Sequence, residues 1–334
     1  MRRVSAMIIG CLFVLSGVLK LMDPVGSSLL MESYFGFLHL SFLRPAGPLM
    51  GVLFPLFESV LGAALVTGVF KRHIGIISGA VLAFFTVLTA VMWVCDAPMD
   101  CGCFGEAVHL SHLQSLVKNI LLMALWAAAF LPFNVRNGCR KVKYATFSAV
   151  SLSLCAFAVY SIVSVPLMDF TPFAPGAEIF NPETSENMDA PVLTFCDAEG
   201  EYADSLALGQ RVLAVSFYKN TPELDPKSIS CLEEAVQAGI QPLLLSSNDM
   251  DAPLPVYRAD SRMLMTLNRS NGGATYIADG QIIAKWPRRS LPDSEAFAEL
   301  SSTPADESLI DENTPKRLKL QGFLLYVYAV LLLV

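Results

Sequence analysis

Three cysteines fall within nine residues in the segment Cys95-Asp-Ala-Pro-Met-Asp-Cys101-Gly-Cys103-Phe-Gly105. In an oxidising compartment, thiols this close are redox-active, bridged or metal-bound. As an active site, Cys101 and Cys103 would exchange disulfides with a partner protein. Gly102 between them would give the freedom that a small ring demands, and a strained ring disulfide is an oxidising one. As a staple, Cys95 would bridge Cys101 or Cys103 and leave one thiol over. As a metal site, three thiolates would take a fourth ligand from His109 or His112.

The elements that must position these thiols are apolar. The chain has 334 residues, 54% of them hydrophobic and only 16% charged, the composition of an integral membrane protein. Runs at 4–22, 47–70, 74–94, 113–133 and 144–165 each approach or exceed the ~20 residues that cross the hydrocarbon. The first reads as an uncleaved span, because no small-x-small site closes it. A sixth run, 322–334, or 318–334 at its longest, is a candidate sixth span.

The cysteine segment lies between the third and fourth runs, so its compartment depends on orientation. Arg2, Arg3, Lys71, Arg72, Arg136, Arg140, Lys141 and Lys143 occupy one side with no acidic residue among them. The other side carries Asp23, Glu32, Asp96, Asp100 and Glu106 against Lys20, Arg44 and Lys118. The excess of Lys and Arg marks the cytoplasmic side, so the cysteine loop is expected outside a bacterial inner membrane. Lys316, Arg317 and Lys319 fall on the outer side of the sixth run. They carry little weight after a long translocated segment.

Residues 167–312 hold nine Lys/Arg against twenty-four Asp/Glu, which reads as an acidic periplasmic domain and excludes a nucleic-acid surface. Residues 167–190, rich in Pro, Ser and acids, read as a linker. Beyond them, strands are expected at 211–217 and 242–245, and helices at 228–239, 261–267 and 292–300. A strand pair at 274–278 and 282–286 should turn at Asp279-Gly280. This order resembles a thioredoxin fold, but the position that carries Cys-x-x-Cys in that family reads Ser216-Phe-Tyr-Lys-Asn-Thr-Pro222. Gly272-Gly273 stands where that family has proline. The likeness therefore implies a binding domain without the redox activity. Cys196 and Cys231 read as structural thiols, and Cys11, Cys139 and Cys155 as packing or free thiols.

Two further side chains bear on the cysteine loop. Glu58 lies eleven residues into the second run, where a carboxyl is costly unless it is protonated or paired. It is either a functional group or a neutral acid bonded to a neighbouring helix. Lys118, on the loop's side of the membrane, would favour a thiolate. Lys20, like Lys118 near an outer span end, could simply snorkel.

Cys101-Gly-Cys-Phe-Gly105 followed by Lys118-Asn119, with Ser16-Gly-Val-Leu-Lys20-Leu-Met-Asp23-Pro24 closing the first run, resembles the membrane domain of the DoxX/MauE superfamily. The resemblance implies a four-helix membrane bundle over 1–133. The expected remainder is a cytoplasmic loop and fifth helix at 134–166, the linker at 167–190, the thioredoxin-like α/β domain at 191–312 and a sixth helix at 313–334. The MauE branch is associated with maturation of the disulfide-rich small subunit of methylamine dehydrogenase, and DoxX relatives with thiosulfate- or quinone-related oxidation. Taken with the reading of the residues above, the expected function is thiol–disulfide chemistry on exported proteins, with Cys101, Cys103 and Cys95 reacting, Lys118 and Glu58 supporting, and a membrane quinone as acceptor. The competing expectation is a non-enzymatic membrane scaffold with a structural disulfide.

Overall fold

The computed structural model describes residues 2–97, 99, 101–131, 141–182 and 189–332. Arg136, Cys139, Arg140 and Asp100, which the sequence reading used, lie outside the described residues. The chain divides into two compact units, Met1–Ile162 with Gln321–Val334, and Val163–Leu320.

The first unit contains helices α1 (Arg2–Met22), α2 (Pro24–Phe37), α3 (Gly47–Thr67) and α4 (Lys71–Val94), a short extended segment β1 (Cys103–Glu106), and helices α5 (His112–Phe130) and α6 (Lys141–Val163). Among the described residues, five helical stretches are long and apolar enough to cross a membrane: α1, Ser41–Thr67, α4, α5 and α6. These are the first five runs of the sequence. Ile9 and Phe13 of α1, Leu61 and Leu65 of α3, Leu82 of α4 and Leu122 and Phe130 of α5 share one buried core.

Small residues set how closely α1 and α3 approach. A Cβ on Gly10 would lie 2.7 Å from the Gly62 carbonyl oxygen, and one on Gly62 would lie 2.6 Å from the Gly10 carbonyl oxygen. A Cβ on Gly17, two turns along α1 from Gly10, would meet the Pro55 carbonyl oxygen at 2.6 Å. Backbones pressed together at such positions gain dispersion contacts that apolar side chains in lipid cannot otherwise supply. Ser16 and Lys20 then face α3.

Helix α2 occupies sequence that the hydropathy pattern leaves as an outer loop. Its start is encoded: Asp23 Oδ1 accepts from Gly26 N at 2.9 Å, and Pro24 sits in the first turn, where its missing N–H costs nothing. A Cβ on Gly51 of α3 would come within 2.7 Å of Ser28 N, so α2 lies directly on α3.

The second unit is built on a mixed six-stranded sheet. Its strands are β2 (Phe195–Cys196), β3 (Arg211–Phe217), β4 (Gln241–Ser246), β5 (Val256–Ala259), β6 (Gly273–Ala278) and β7 (Gln281–Trp286), in the order β2-β5-β4-β3-β6-β7. β3, β4 and β5 run parallel, with α7 (Pro226–Gln237) crossing from β3 to β4, while β6 and β7 form an antiparallel hairpin beside β3. Asp279 and Gly280 both adopt positive φ, the geometry of a two-residue hairpin turn. Helices α8 (Ser261–Leu267) and α9 (Ser294–Ser302) complete the expected set. The short strands β2 and β5 were not anticipated, because neither is long enough to show an alternation.

Two stretches take forms that the sequence pattern did not show. Part of the stretch read as a linker is built into this unit. Gly176 N donates to Ile282 O and Ile179 N to Gly280 O, at 2.7 and 2.8 Å, and Phe173 and Ile179 are buried in the core. The sixth apolar run forms the end of a longer helix, α10 (Ala305–Leu332), which begins among charged residues. That end belongs to the first unit, where Phe323 stacks on Phe157 and Tyr328 Oη donates to Cys11 O at 2.9 Å.

Asp169 and Lys285 form a buried pair at 2.6 Å, their side chains 5% and 4% exposed. Burial pushes the Asp169 carboxyl up, but the Lys285 charge and hydrogen bonds from Lys285 and Thr171 together outweigh it and hold the pKa below the ordinary value. A depressed carboxylate pKa stabilises the fold above the unfolded value, and that stability is lost as pH falls through the folded one. Asp169→Asn is expected to cost ~3–5 kcal/mol near neutrality, since it strands a buried ammonium. Thermal melting of the purified protein should show the loss shrinking as pH is lowered into the acid range.

Candidate functional site

The cysteine segment begins where α4 ends. Cys95 is the C-terminal cap of α4 and is exposed. The chain then turns inward. Tyr34 of α2 donates its hydroxyl to the Cys101 carbonyl, and His112 Nε2 lies 2.8 Å from the Met99 carbonyl oxygen. Ser111 and Gln114 form a reciprocal cap that fixes the start of α5 just beyond the segment.

Gly102 is required by this path. It sits at φ +56, and a Cβ there would also collide with Leu30 of α2. An L residue is strained in that region, so glycine is needed both for the dihedral and for the space. The result brings Cys101 Sγ to 3.2 Å from Cys103 Sγ. Cys101 is buried and Cys103 half-buried.

The surroundings of the two thiols differ. Thr89 Oγ1 lies 3.6 Å from Cys101 Sγ and is itself held by Asn119 Nδ2 at 3.2 Å. Lys118 Nζ lies 5.0 Å from the Phe104 ring centroid and, with Lys20, places positive charge near Cys103. The hydrogen bond from Cys101, followed by the Lys118 charge and hydrogen bond and the Lys20 charge, lowers the Cys103 pKa to about 5 against the opposing effect of burial. The same bond, together with burial, pushes the Cys101 thiol far up. These influences favour ionisation of Cys103 over Cys101, which is placed to donate to it.

Beneath the thiols, α1 and α3 present a second polar group. Lys20 Nζ pairs with Glu58 Oε2 at 2.8 Å, and both side chains are under a tenth exposed. The Ser16 hydroxyl lies 2.7 Å from Glu58 Oε1 and 2.6 Å from the Cys103 carbonyl oxygen, joining the pair to the cysteine strand. Lys20 therefore does not snorkel. Its ammonium turns toward a carboxylate in the protein interior, which satisfies both costly charges at once. Tyr34 and Thr89 are members of the site that sequence reasoning did not name, while Ser16 and Asn119 entered it only within the motifs that carry the family resemblance. Of these, Ser16 carried a signal: it lies one turn from Lys20 and so shares its face.

The structure thus brings together Cys101, Cys103, Lys118 and Glu58 from the expected set, while Cys95 stands outside the cavity they line. The three-cysteine metal arrangement does not form. Among the described residues no group of three or more His, Cys, Asp or Glu could hold an ion, and the His112 ring faces a carbonyl. The cavity has a volume of about 50 Å³, and Phe13, Phe54, Phe85 and Phe104 line it together with Lys20 and Cys103.

A helical membrane unit with a paired-thiol site, joined to a mixed α/β domain, defines the class of protein. Residues 2–133 match the family model described as methylamine utilisation protein MauE. No curated protein and no solved structure matches the chain. Over residues 2–133 the chain is similar to that family, and this stretch contains every residue of the thiol site.

Proposed function

We propose that the chain exchanges disulfides with an exported protein through Cys101 and Cys103, at the outer face of a bacterial inner membrane. The observation that carries this reading is the 3.2 Å approach of the two sulfurs, and the Lys118 and Lys20 charges near Cys103 favour its thiolate. In one direction the Cys103 thiolate attacks a partner disulfide. The partner S–S bond breaks, a mixed disulfide forms on Cys103, and the departing partner thiolate takes a proton. Cys101 then gives up its proton and attacks Cys103 Sγ. This closes the Cys101–Cys103 disulfide and releases the second partner sulfur, which takes that proton. The reverse sequence inserts a disulfide into the partner. Stabilising the Cys103 thiolate stabilises the reduced site, and so favours this oxidising direction.

Three finer readings accompany it. The helices α1, α3, α4 and α5 are taken as the four-helix bundle of the DoxX/MauE superfamily. The second unit is taken as thioredoxin-like, supported by the parallel β3-α7-β4 unit followed by the β6–β7 hairpin and α9. Tyr218 and Lys219 follow β3 where a redox motif would stand, and Cys231 is buried with its pKa pushed up to about 12 by burial. The acidic domain therefore docks the partner and does no exchange of its own.

The reading is tested by trapping thiols in membranes with acid and then alkylating with a maleimide of added mass. Cys101 and Cys103 should shift together between reduced and oxidised populations when cells are treated with dithiothreitol or diamide. A membrane-impermeant maleimide should reach reduced Cys103 in intact spheroplasts. Labelling only after lysis would place the site in the cytoplasm and remove the exported-partner reading.

A further inference from the structure

A second cavity of about 340 Å³ lies in the helical unit, between the first turns of α1 and α4, the last turns of α3 and α5, and Lys143 of α6. It is far from the thiols in sequence and shares no lining residue with their cavity. Its volume lies within the ~300–1,000 Å³ range of small-molecule sites. Four cations line it, Arg2, Arg3, Lys71 and Lys143, and no acidic side chain does so among the described residues. Arg2 is anchored there: its Nη2 donates to Leu131 O at 3.0 Å, just past the end of α5. The Lys71 side chain lies over Gly68, whose Cβ would meet Lys71 Cε at 3.5 Å. The remaining walls are apolar, chiefly Ala6, Leu65, Ile74 and Phe130.

A concave site with a cationic side and apolar walls suits a ligand that is itself divided. We propose that this cavity binds the phosphate of an anionic phospholipid, with the arginines and lysines around the phosphodiester and the first part of an acyl chain against Leu65, Ile74 and Phe130. The N-termini of α1 and α4, the positive ends of their helix dipoles, fall at the same cavity. A free phosphate compound shares the charge of this ligand but gains nothing from the apolar walls, which is why the lipid is the occupant that fits. The site is independent of the thiol reading and stands or falls separately.

The test uses the full chain, purified in detergent and stripped of lipid, and read by native mass spectrometry. Phosphatidylglycerol should saturate at one equivalent, while phosphatidylcholine and inorganic pyrophosphate should bind far more weakly. Each of Lys71→Gln and Lys143→Gln should weaken phosphatidylglycerol about fivefold, as expected for ~1 kcal/mol per basic residue. Ala6→Leu fills the cavity and keeps every charge, so it should also weaken the bound equivalent. A photoreactive phosphatidylglycerol, mapped after digestion, should label peptides from α1, α3 and α4. That mapping locates the lipid even if Ala6→Leu fails to fold. Equal binding of the two lipids, an unchanged affinity in Lys71→Gln, or label spread over other loops would overturn the proposal. Pyrophosphate saturating as tightly as phosphatidylglycerol would overturn the choice of a lipid.

Discussion

Cys103→Ser should abolish disulfide exchange with a partner, whereas Cys101→Ser should accumulate a mixed disulfide on Cys103. The asymmetry follows from the site: Cys103 is the half-buried thiolate, and Cys101 is the buried thiol held beside it. Without Cys103 no sulfur is positioned to attack. Without Cys101 the attack still occurs, but nothing resolves the product. A lowered pKa alone does not make Cys103 a faster nucleophile at neutrality. A drop from 9.0 to about 5 raises its thiolate fraction roughly a hundredfold at pH 7, but nucleophilicity falls with pKa at a Brønsted slope of ~0.4–0.5 and offsets most of that gain. The advantage lies in leaving-group ability and in retained reactivity under acid conditions.

The pH profile is therefore the sharper measurement. A thiol with a depressed pKa stays ionised above that value and loses its charge only as pH falls through it. The alkylation rate of Cys103 should hold level down to about pH 5, where an ordinary thiol would already have lost reactivity below ~8.5. Lys118→Met should move the midpoint upward, because it removes both the charge and a hydrogen bond. A structural staple behaves otherwise. Losing it costs ~2–5 kcal/mol and lowers abundance or melting temperature, with no trapped partner. Cysteine variants that unfold without a mixed disulfide would favour the scaffold.

The elements of this site were legible in the sequence to unequal degrees. Periodicity and length located the five apolar helices and most strands of the second unit, because each is long enough to show its pattern. The hairpin at Asp279-Gly280 was legible from two residues, since few dipeptides tolerate positive φ in succession. Helix α2 was missed although Asp23-Pro24 is a capping signal, because its apolar residues read as part of a loop between longer runs. The role of Tyr34 was lost with it. Cys101 and Cys103 were legible from type and spacing alone. Their difference was not, since it depends on Thr89, Lys118 and Lys20 arriving from three helices. The placement of Cys95 turned on one local dihedral. Asp96 takes φ +46 just after the end of α4, and the chain beyond it turns inward while Cys95 stays exposed.

The pairing of Lys20 with Glu58 could have been inferred by asking what two charged side chains in apolar helices can do, and it carries the other large expected effect. Glu58→Gln should destabilise the helical unit by ~3–5 kcal/mol, since removing one partner strands the other charge inside the protein. Lys20→Met should cost a similar amount by stranding the carboxylate. The double variant, Glu58→Gln with Lys20→Met, should recover much of the loss, because two uncharged side chains can bury where one unpaired charge cannot. Melting of the four proteins in one detergent gives the coupling directly, and simple additivity of the two single losses would refute a buried pair. The same variants bear on the thiols. Lys20 helps hold the Cys103 thiolate, and Glu58 draws on that same ammonium at 2.8 Å. Glu58→Gln should leave the ammonium with Cys103 as its nearest anion and move the alkylation midpoint of Cys103 down, and Lys20→Met should move it up. Opposite shifts from two variants that destabilise alike would separate an electrostatic link to the thiol from mere loosening of the fold. Shifts in the same direction would reduce the Lys20–Glu58 pair to a structural tie between α1 and α3.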